Sequence, residues 1–280
     1  MQKILNIKPY LRNIVRYPIP LSKNELDAHR KGSKIFINSL PKSGTFLLRR
    51  TLQLLPSSAS RWSIHGLDAS RPHLYQKIRK IRRGQYASGH VYWSRELTKL
   101  ITAANIRTVF IIRDLRDVAV SLAYYLPQPK NQHRLQRYFK RLDSDDARLM
   151  SVILGASQKL FSDCSSPNTL GEFAMAFQPW LCEPNCLTVR FEDLIGSTGG
   201  GSDRRQIETI RAIADYLDLD LSDEETTQVA KQLFFRDSPT FRKGQIGDWR
   251  NHFSNEHKKV FKDVAGKALI EFGYEDSYDW

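Results

Sequence analysis

The sequence predicts an α/β protein: a single domain on a central, mostly parallel sheet flanked by helices. Three observations predict it. Near-continuous apolar runs recur at residues 34–39, 107–112 and 186–191, the mark of strands buried on both faces. Segments with apolar residues at helical spacing follow them. Strand and helix alternate over 280 residues, a pattern that pairs parallel strands through helical crossovers.

Residues 1–30 read as a basic N-terminal arm, and residues 31–280 as the domain. Lys3, Lys8, Arg12 and Arg16 are interleaved with Ile4, Leu5, Ile7, Leu11, Ile14 and Val15. The arm lacks the continuous apolar core and small-residue cleavage site of a secretory signal. It reads as weakly amphipathic, resting either on the protein's own body or on a membrane. The strand at 34–39 is broken by Pro41, and a helix reopens over 44–55. A weaker strand covers 85–89. The strand at 107–112 is followed by a helix over 115–124. Residues 127–141, with Lys130, Arg134, Arg137, Lys140 and Arg141, read as a surface loop or lid. After the strand at 186–191, Gly199-Gly200-Gly201 makes a flexible loop. Residues 204–217 carry Ile207, Ile210, Ile213 and Leu217 at helical spacing. Residues 222–234 open on Ser-Asp-Glu-Glu, a capping box, and 255–272 form the last helix.

Composition bounds the function. A hydrophobic share of 41% excludes a disordered chain. No apolar stretch approaches the roughly 20 residues of a spanning helix. Forty-three basic against 30 acidic residues give a net charge of +13, which suits nucleotides, sulfated or acidic substrates, nucleic acid or anionic surfaces. Three cysteines, Cys164, Cys182 and Cys186, are too few and too unevenly spaced for a disulfide framework. Cys182 and Cys186 have no second metal-binding pair nearby, so no zinc pattern exists. A reducing cytoplasm is the natural setting.

Ligands of open α/β sheets bind beyond the carboxyl ends of the strands. Lys42, Arg113 and Glu192 each lie just past a predicted strand end. The turn Pro41-Lys42-Ser43-Gly44-Thr45 leads from strand to helix. A helix N-terminus there presents backbone N–H groups and about half a positive charge, and the lysine completes a phosphate cradle. It is not the nucleotide-triphosphate loop, which needs glycine before its Lys-Ser/Thr; Pro41 stands there. An ordinary strand-to-helix loop with an exposed lysine shares the local pattern. At the second strand end, Arg113 offers a planar fork to a phosphate. Ser121, about two helical turns on, shares its face. A salt-bridged helix start looks the same in sequence. The third stretch, residues 241–253, packs Arg242, Lys243 and Arg250 beside Gly244 and Gly247, which let backbone approach a ligand. A solvated basic loop is the alternative.

Together these stretches resemble the sulfotransferases that use 3'-phosphoadenosine 5'-phosphosulfate (PAPS), of the soluble, cytosolic, bacterial-like type. The Lys42 turn resembles the family's 5'-phosphosulfate loop, and residues 113–121 its 3'-phosphate motif. Arg190-Phe191-Glu192-Asp193-Leu194 resembles its Arg-Tyr-Glu-Asp-Leu stretch. Arg242-Lys243-Gly244 with Gly247-Asp248-Trp249-Arg250-Asn251-His252-Phe253 resembles its C-terminal signature. The four lie in the family's order over residues 38–253.

The resemblance implies a P-loop-hydrolase-like sulfotransferase fold. It also implies transfer of a sulfuryl group from PAPS to a hydroxyl acceptor (alcohol, phenol, glycan or lipid), leaving 3',5'-adenosine diphosphate (PAP), without a metal. It implies Lys42, His90 and Ser121 as catalytic residues. His90, in Ser88-Gly89-His90-Val91, would be the base; an imidazole near pKa 6.5 suits that work. A structural histidine at a strand end is the plainer reading of that position. Cofactor contacts are implied for Lys42, Ser43, Gly44, Thr45, Phe46, Arg113, Ser121, Phe191, Phe235, Arg242, Lys243 and Gly244. Phe46, Phe234 and Phe235 are the candidates for an adenine-stacking ring.

Departures stand beside these. Phe46 and Leu47 replace the family's usual Thr-Trp, Phe191 replaces a tyrosine, and the C-terminal dimer motif is poorly matched, so no oligomeric state is read. Tyr92, Trp93, Tyr124, Tyr125 and residues 127–141 are candidates to line the acceptor pocket. Nucleic acid is not an expected partner, and peripheral membrane contact stays open. Two other classes remain: a P-loop kinase, and a non-enzymatic binder of nucleotides or anionic surfaces.

Overall fold

The computed structural model describes residues 31–56, 64–68, 73–129, 133–155, 169–236 and 241–280. The arm expected over residues 1–30, together with Lys130 and Cys164, lies outside them. Five strands form one sheet: β1 (Lys34–Ser39), β2 (Ile64–Asp68), β3 (Tyr86–His90), β4 (Ile106–Ile112) and β5 (Cys186–Arg190). Their order is β2-β3-β1-β4-β5, and each neighbouring pair runs parallel. Four of these are the apolar runs of the sequence. The fifth, β2, has only two aliphatic residues in Ile-His-Gly-Leu-Asp and so leaves no run to detect.

Helices connect the strands: α1 (Thr45–Leu54), α2 (Leu74–Arg79), α3 (Arg95–Ala103), α4 (Leu115–Tyr125), α5 (Gln136–Arg141), α6 (Asp145–Ile153), α7 (Leu170–Met175), α8 (Phe191–Leu194), α9 (Asp203–Tyr216), α10 (Asp223–Leu233) and α11 (Asn255–Glu271). Side-chain oxygens set several starts. Ser94 accepts from the Leu97 N–H, Ser144 from Ala147, Ser222 from Glu225 and Ser254 from His257, each satisfying an orphan donor of a first turn. At Ser222 the expected capping box is present, with Glu225 reaching back.

The alternation of the central strands explains their unbroken apolar runs. On β1, Phe36 faces one core while Ile35 and Ile37 face the other; on β4, Phe110 and Ile112 oppose Val109 and Ile111. The first core is closed by α2, α3, α4, α6, α7 and α11, the second by α1, α9 and α10. Phe36, Ile37 and Phe110 are fully buried, each contributing about 1.5–3 kcal/mol of transfer free energy. The stretch expected as a surface loop or lid over 127–141 is partly helical. Phe139 of α5 is fully buried and pins that turn, while Arg134, Arg137, Lys140 and Arg141 stay exposed.

The strand order places β1 between β3 and β4. Its carboxyl end is therefore flanked by the ends of the strands carrying His90 and leading to Arg113. This is the switch point at which such sheets bind ligands.

Candidate active site

The turn after β1 is built from two left-handed residues, Lys42 at φ 70° and Gly44 at φ 103°. The Ser43 N–H donates to the Leu40 carbonyl at 3.2 Å and closes it. A lysine at positive φ costs about 1–2 kcal/mol, a strain that clusters at functional sites. Gly44 has no alternative. A Cβ there would sit 2.8 Å from Phe191 Cδ2 and 3.1 Å from Ile111 Cδ1, so the turn packs directly on the end of β5. Gly44 is also the N-cap of α1 and supplies no side-chain acceptor, leaving the helix's first N–H groups for an anion. The Ser43 hydroxyl is buried with no hydrogen-bond partner.

The Lys42 ammonium lies 4.0 Å from the centre of the Tyr125 ring, at the end of α4. Burial, then the nearby Arg113 and Arg242 guanidiniums, pull its pKa down from 10.5 to about 8. The Lys42 ammonium thus senses the charges of the other two basic motifs, the farther 200 residues away in sequence. Three cations gathered at one place, two of them also beside the carboxylates of Asp117 and Asp248, form a site for a polyanion.

Arg113 is held at the end of β4 by three contacts. It donates to the Gln245 carbonyl at 2.8 Å, lies 4.2 Å over the Phe191 ring and sits 3.5 Å from Asp117. Its buried Nε has no partner. Asp117, one turn on, accepts the Gly247 N–H at 2.8 Å and the Trp249 N–H at 2.9 Å. That carboxylate staples the C-terminal loop to the first turn of α4. Burial raises its pKa, against the pull of Arg113 and both N–H groups. Ser121 is buried on α4, four residues before Tyr125 and so on the helix face that meets Lys42. Its described contacts include no hydrogen bond to Lys42.

Arg242 and Lys243 are turned onto Asp248, at 2.5 and 2.9 Å. Burial opposes ionisation of Asp248, yet bonds from Lys243, Arg242 and Asn251 hold its carboxyl well below the usual range. Arg242 also lies 5.0 Å over Tyr124. A side chain at Gly244 would meet Phe241 at 2.8 Å.

His90 ends β3 across from β1. Its Nδ1 is 2.8 Å from the Ser39 carbonyl. A carbonyl only accepts, so Nδ1 carries the proton and Nε2 is the basic nitrogen. Ser39 Oγ adds a contact at 3.2 Å and bonds Thr45 Oγ1 at 2.6 Å, linking His90 to the Lys42 turn. Asn38 exchanges two hydrogen bonds with Val91, at 2.8 and 2.9 Å, and fixes the backbone after His90.

Glu192, expected at this edge, is a buried acceptor rather than a ligand group. It takes the Asp114 N–H at 3.0 Å and the Tyr274 hydroxyl at 2.9 Å. Arg116 pairs with Asp114 and Glu275 and lies 4.2 and 4.4 Å from the Trp249 and Trp280 rings. Phe191, an expected cofactor contact, is at the centre, between Gly44 and Arg113. Phe46 and Phe235 are largely exposed, each beneath an arginine of α1, Arg49 at 4.9 Å and Arg50 at 5.5 Å. Phe234 packs on Phe241. Among the described residues no group of three or more His, Cys, Asp or Glu side chains is placed to hold a metal ion. No described helix is long and apolar enough to cross a membrane.

The fold and this cluster define a parallel α/β protein with a phosphate cradle at its switch point. A sulfotransferase domain model matches residues 32–273; the chain belongs to the sulfotransferase family. A flavonol sulfotransferase-like protein of Flaveria bidentis is 24% identical over 272 residues, 86% of this chain and 83% of its own. Zebrafish (Danio rerio) sulfotransferase 6B1 is 30% identical over 111 residues, 35% of each chain. Among solved structures, mouse sulfotransferase SULT7A1 complexed with PAP superposes with a TM-score of 0.63 at 17% identity, covering 86% of this chain and 87% of that one. Retinol dehydratase with androsterone and PAP gives 0.57 at 16%, covering 88% and 85%.

Proposed function

We propose that this chain transfers the sulfuryl group of PAPS to a hydroxyl acceptor, leaving PAP and a sulfate ester. The observation that carries this is the pull of Arg113 and Arg242 on the Lys42 ammonium, which joins the 5'-phosphosulfate turn to both 3'-phosphate stretches. The residues present fit a donor of this kind. Ser43 Oγ and Arg113 Nε are buried polar atoms awaiting partners, and Gly44 leaves its turn open to a close-lying anion.

The donor supplies an activated sulfuryl group; the chain supplies placement and charge, as in phosphoryl transfer. The amides of Ser43, Gly44 and Thr45, at the uncapped start of α1, hold the 5'-phosphate. Lys42 places its ammonium beside the oxygen on which charge builds as PAP departs. His90 Nε2 takes the proton of the attacking hydroxyl. Arg113, Ser121 and Gly244 hold the 3'-phosphate, joined by Arg242 and Lys243 once these turn from Asp248. Ser121 shares the Lys42-facing side of α4 and steadies the lysine through the cycle. Phe191 backs the site, while Phe46 and Phe235 flank α1 as candidates for the adenine face. The free Cys182 and Cys186 suit a reducing, cytoplasmic setting.

The test is thermal denaturation with PAP or ATP–Mg²⁺, followed by transfer from [³⁵S]PAPS across phenols, lipid alcohols, glycans and peptides. PAP should raise Tm, ATP–Mg²⁺ should not, and at least one acceptor class should gain label. Stabilisation by ATP–Mg²⁺ alone would return the kinase reading. His90→Ala should abolish labelling yet keep the PAP shift; loss of both would make His90 structural.

A further inference from the structure

The lateral face formed by α2, α3 and the turn between α2 and β3 carries a basic patch that sulfuryl transfer does not use. Residues 69–95 contain seven basic side chains and no Asp or Glu. Five of the seven, Lys77, Arg79, Lys80, Arg82 and Arg83, crowd the end of α2 and the turn before β3. Arg79, Lys80, Arg82 and Arg83 are exposed and Lys77 partly so. Lys77, Arg79, Lys80 and Arg82 make no ion pair with a described residue. On the neighbouring α3, Arg95 and Lys99 are also exposed, against one acid, Glu96. The acids of the chain's sheet-bottom turn, Asp215, Asp218, Asp220 and Asp223, lie with α9 and α10 on the opposite face of the sheet.

This face is not only charged. Tyr75 of α2 is 42% exposed, and its hydroxyl lies 3.5 Å from Ser94 Oγ at the start of α3. Between the two helices is a groove of about 570 Å³ lined by Leu74, Tyr75, Tyr92, Trp93 and Leu97 among others. Aromatic and aliphatic groups rimmed by cations match an interface with lipid headgroups above and acyl chains below. In sequence, residues 1–24 hold no acid and interleave lysines and arginines with Ile and Leu. A duplex or single-stranded nucleic acid would need the cations but not the aliphatic groups of the groove, Leu74 and Leu97.

We infer that the α2–α3 face is a docking surface for membranes bearing anionic phospholipids. The groove opens just past His90, so docking turns that side of the active site toward the bilayer. The inference stands apart from the sulfotransferase reading, and its test has a separate readout.

The full-length protein is sedimented with phosphatidylcholine vesicles and with the same vesicles containing phosphatidylglycerol, at low and high salt. Binding should require phosphatidylglycerol and weaken with salt. A basic residue near an anionic surface contributes roughly a fivefold gain in partition. The variant Lys77→Gln/Arg79→Gln/Lys80→Gln/Arg82→Gln should therefore bind roughly 600-fold more weakly, while its PAP-induced Tm shift stays at the wild-type value. Equal partition of variant and wild type, or no preference for phosphatidylglycerol, would overturn the inference. So would displacement from vesicles by tRNA at matched charge, which would assign the face to nucleic acid. Loss of the PAP shift in wild type would sink the proposed function and leave vesicle binding to be judged alone.

Discussion

Replacing Lys42 by methionine should make the ligand-free protein more stable and the enzyme inactive. Burial and two guanidiniums lower the Lys42 pKa from 10.5 to about 8. Below pH 8 both folded and unfolded chains carry the charge, and the folded state bears its full penalty. Between about pH 8 and 10.5 the unfolded chain holds a proton that the folded chain has released, so stability rises with pH across that window. At 1.36 kcal/mol per pKa unit the penalty is about 3 kcal/mol, offset by about 0.5–1 kcal/mol from the Tyr125 ring. Urea denaturation of wild type and Lys42→Met should show the variant ahead by about 2 kcal/mol at pH 7, with the gap closing toward pH 10.5. The phosphates of PAP reverse the field at Lys42. Wild type should therefore take up a proton on binding PAP at pH 9, which calorimetry in buffers of different ionisation enthalpy detects, and the variant should not. A stability gap that stays constant from pH 7 to 10 would refute the account of Lys42 as a cation destabilised by burial and by the guanidiniums beside it.

Other perturbations separate the remaining parts. Gly44→Ala combines a φ of 103° with a contact at 2.8 Å to Phe191. It should lose about 2–4 kcal/mol in chemical denaturation and most PAP affinity; an unchanged midpoint would mean the turn can relax. Arg113→Ala should weaken PAP by roughly 10- to 100-fold, as expected for charged hydrogen bonds. It should weaken adenosine 5'-phosphosulfate, which lacks the 3'-phosphate, far less; equal losses would move Arg113 away from that phosphate. Asp117→Asn removes a carboxylate that accepts two backbone N–H groups, at about 1–3 kcal/mol. The C-terminal loop should then be cut faster by trypsin at Arg242 and Lys243, and wild-type digestion rates would show that Asp117 does not hold it.

The parts of this protein that were legible in its sequence are those dictated by a few residues at a time. β1 and β4 announce themselves because burial on both faces removes polar residues from the run. Pro41-Lys42-Ser43-Gly44 announces a turn because proline and glycine punctuate the backbone. The groups that join motifs did not show, because their partners come from distant segments. Asp117 looks like an ordinary helix-start acid until the Gly247 and Trp249 N–H groups reach it from 130 and 132 residues away. Asp248 hides in a basic stretch, and the structure turns Arg242 and Lys243 onto it rather than into the site. Asn38 was the available clue: an amide in a fully buried strand must find partners, and it finds both on Val91, next to His90. The same logic explains why the adenine face stayed open. Stacking needs an exposed ring near the phosphates, and Phe46 and Phe235 both qualify by exposure, so residue type cannot choose between them. Phosphate recognition is written in short local motifs because backbone amides and one or two cations suffice for it. The geometry that makes three such motifs one site is written in single acids and amides, each meaningful only once the chain has folded.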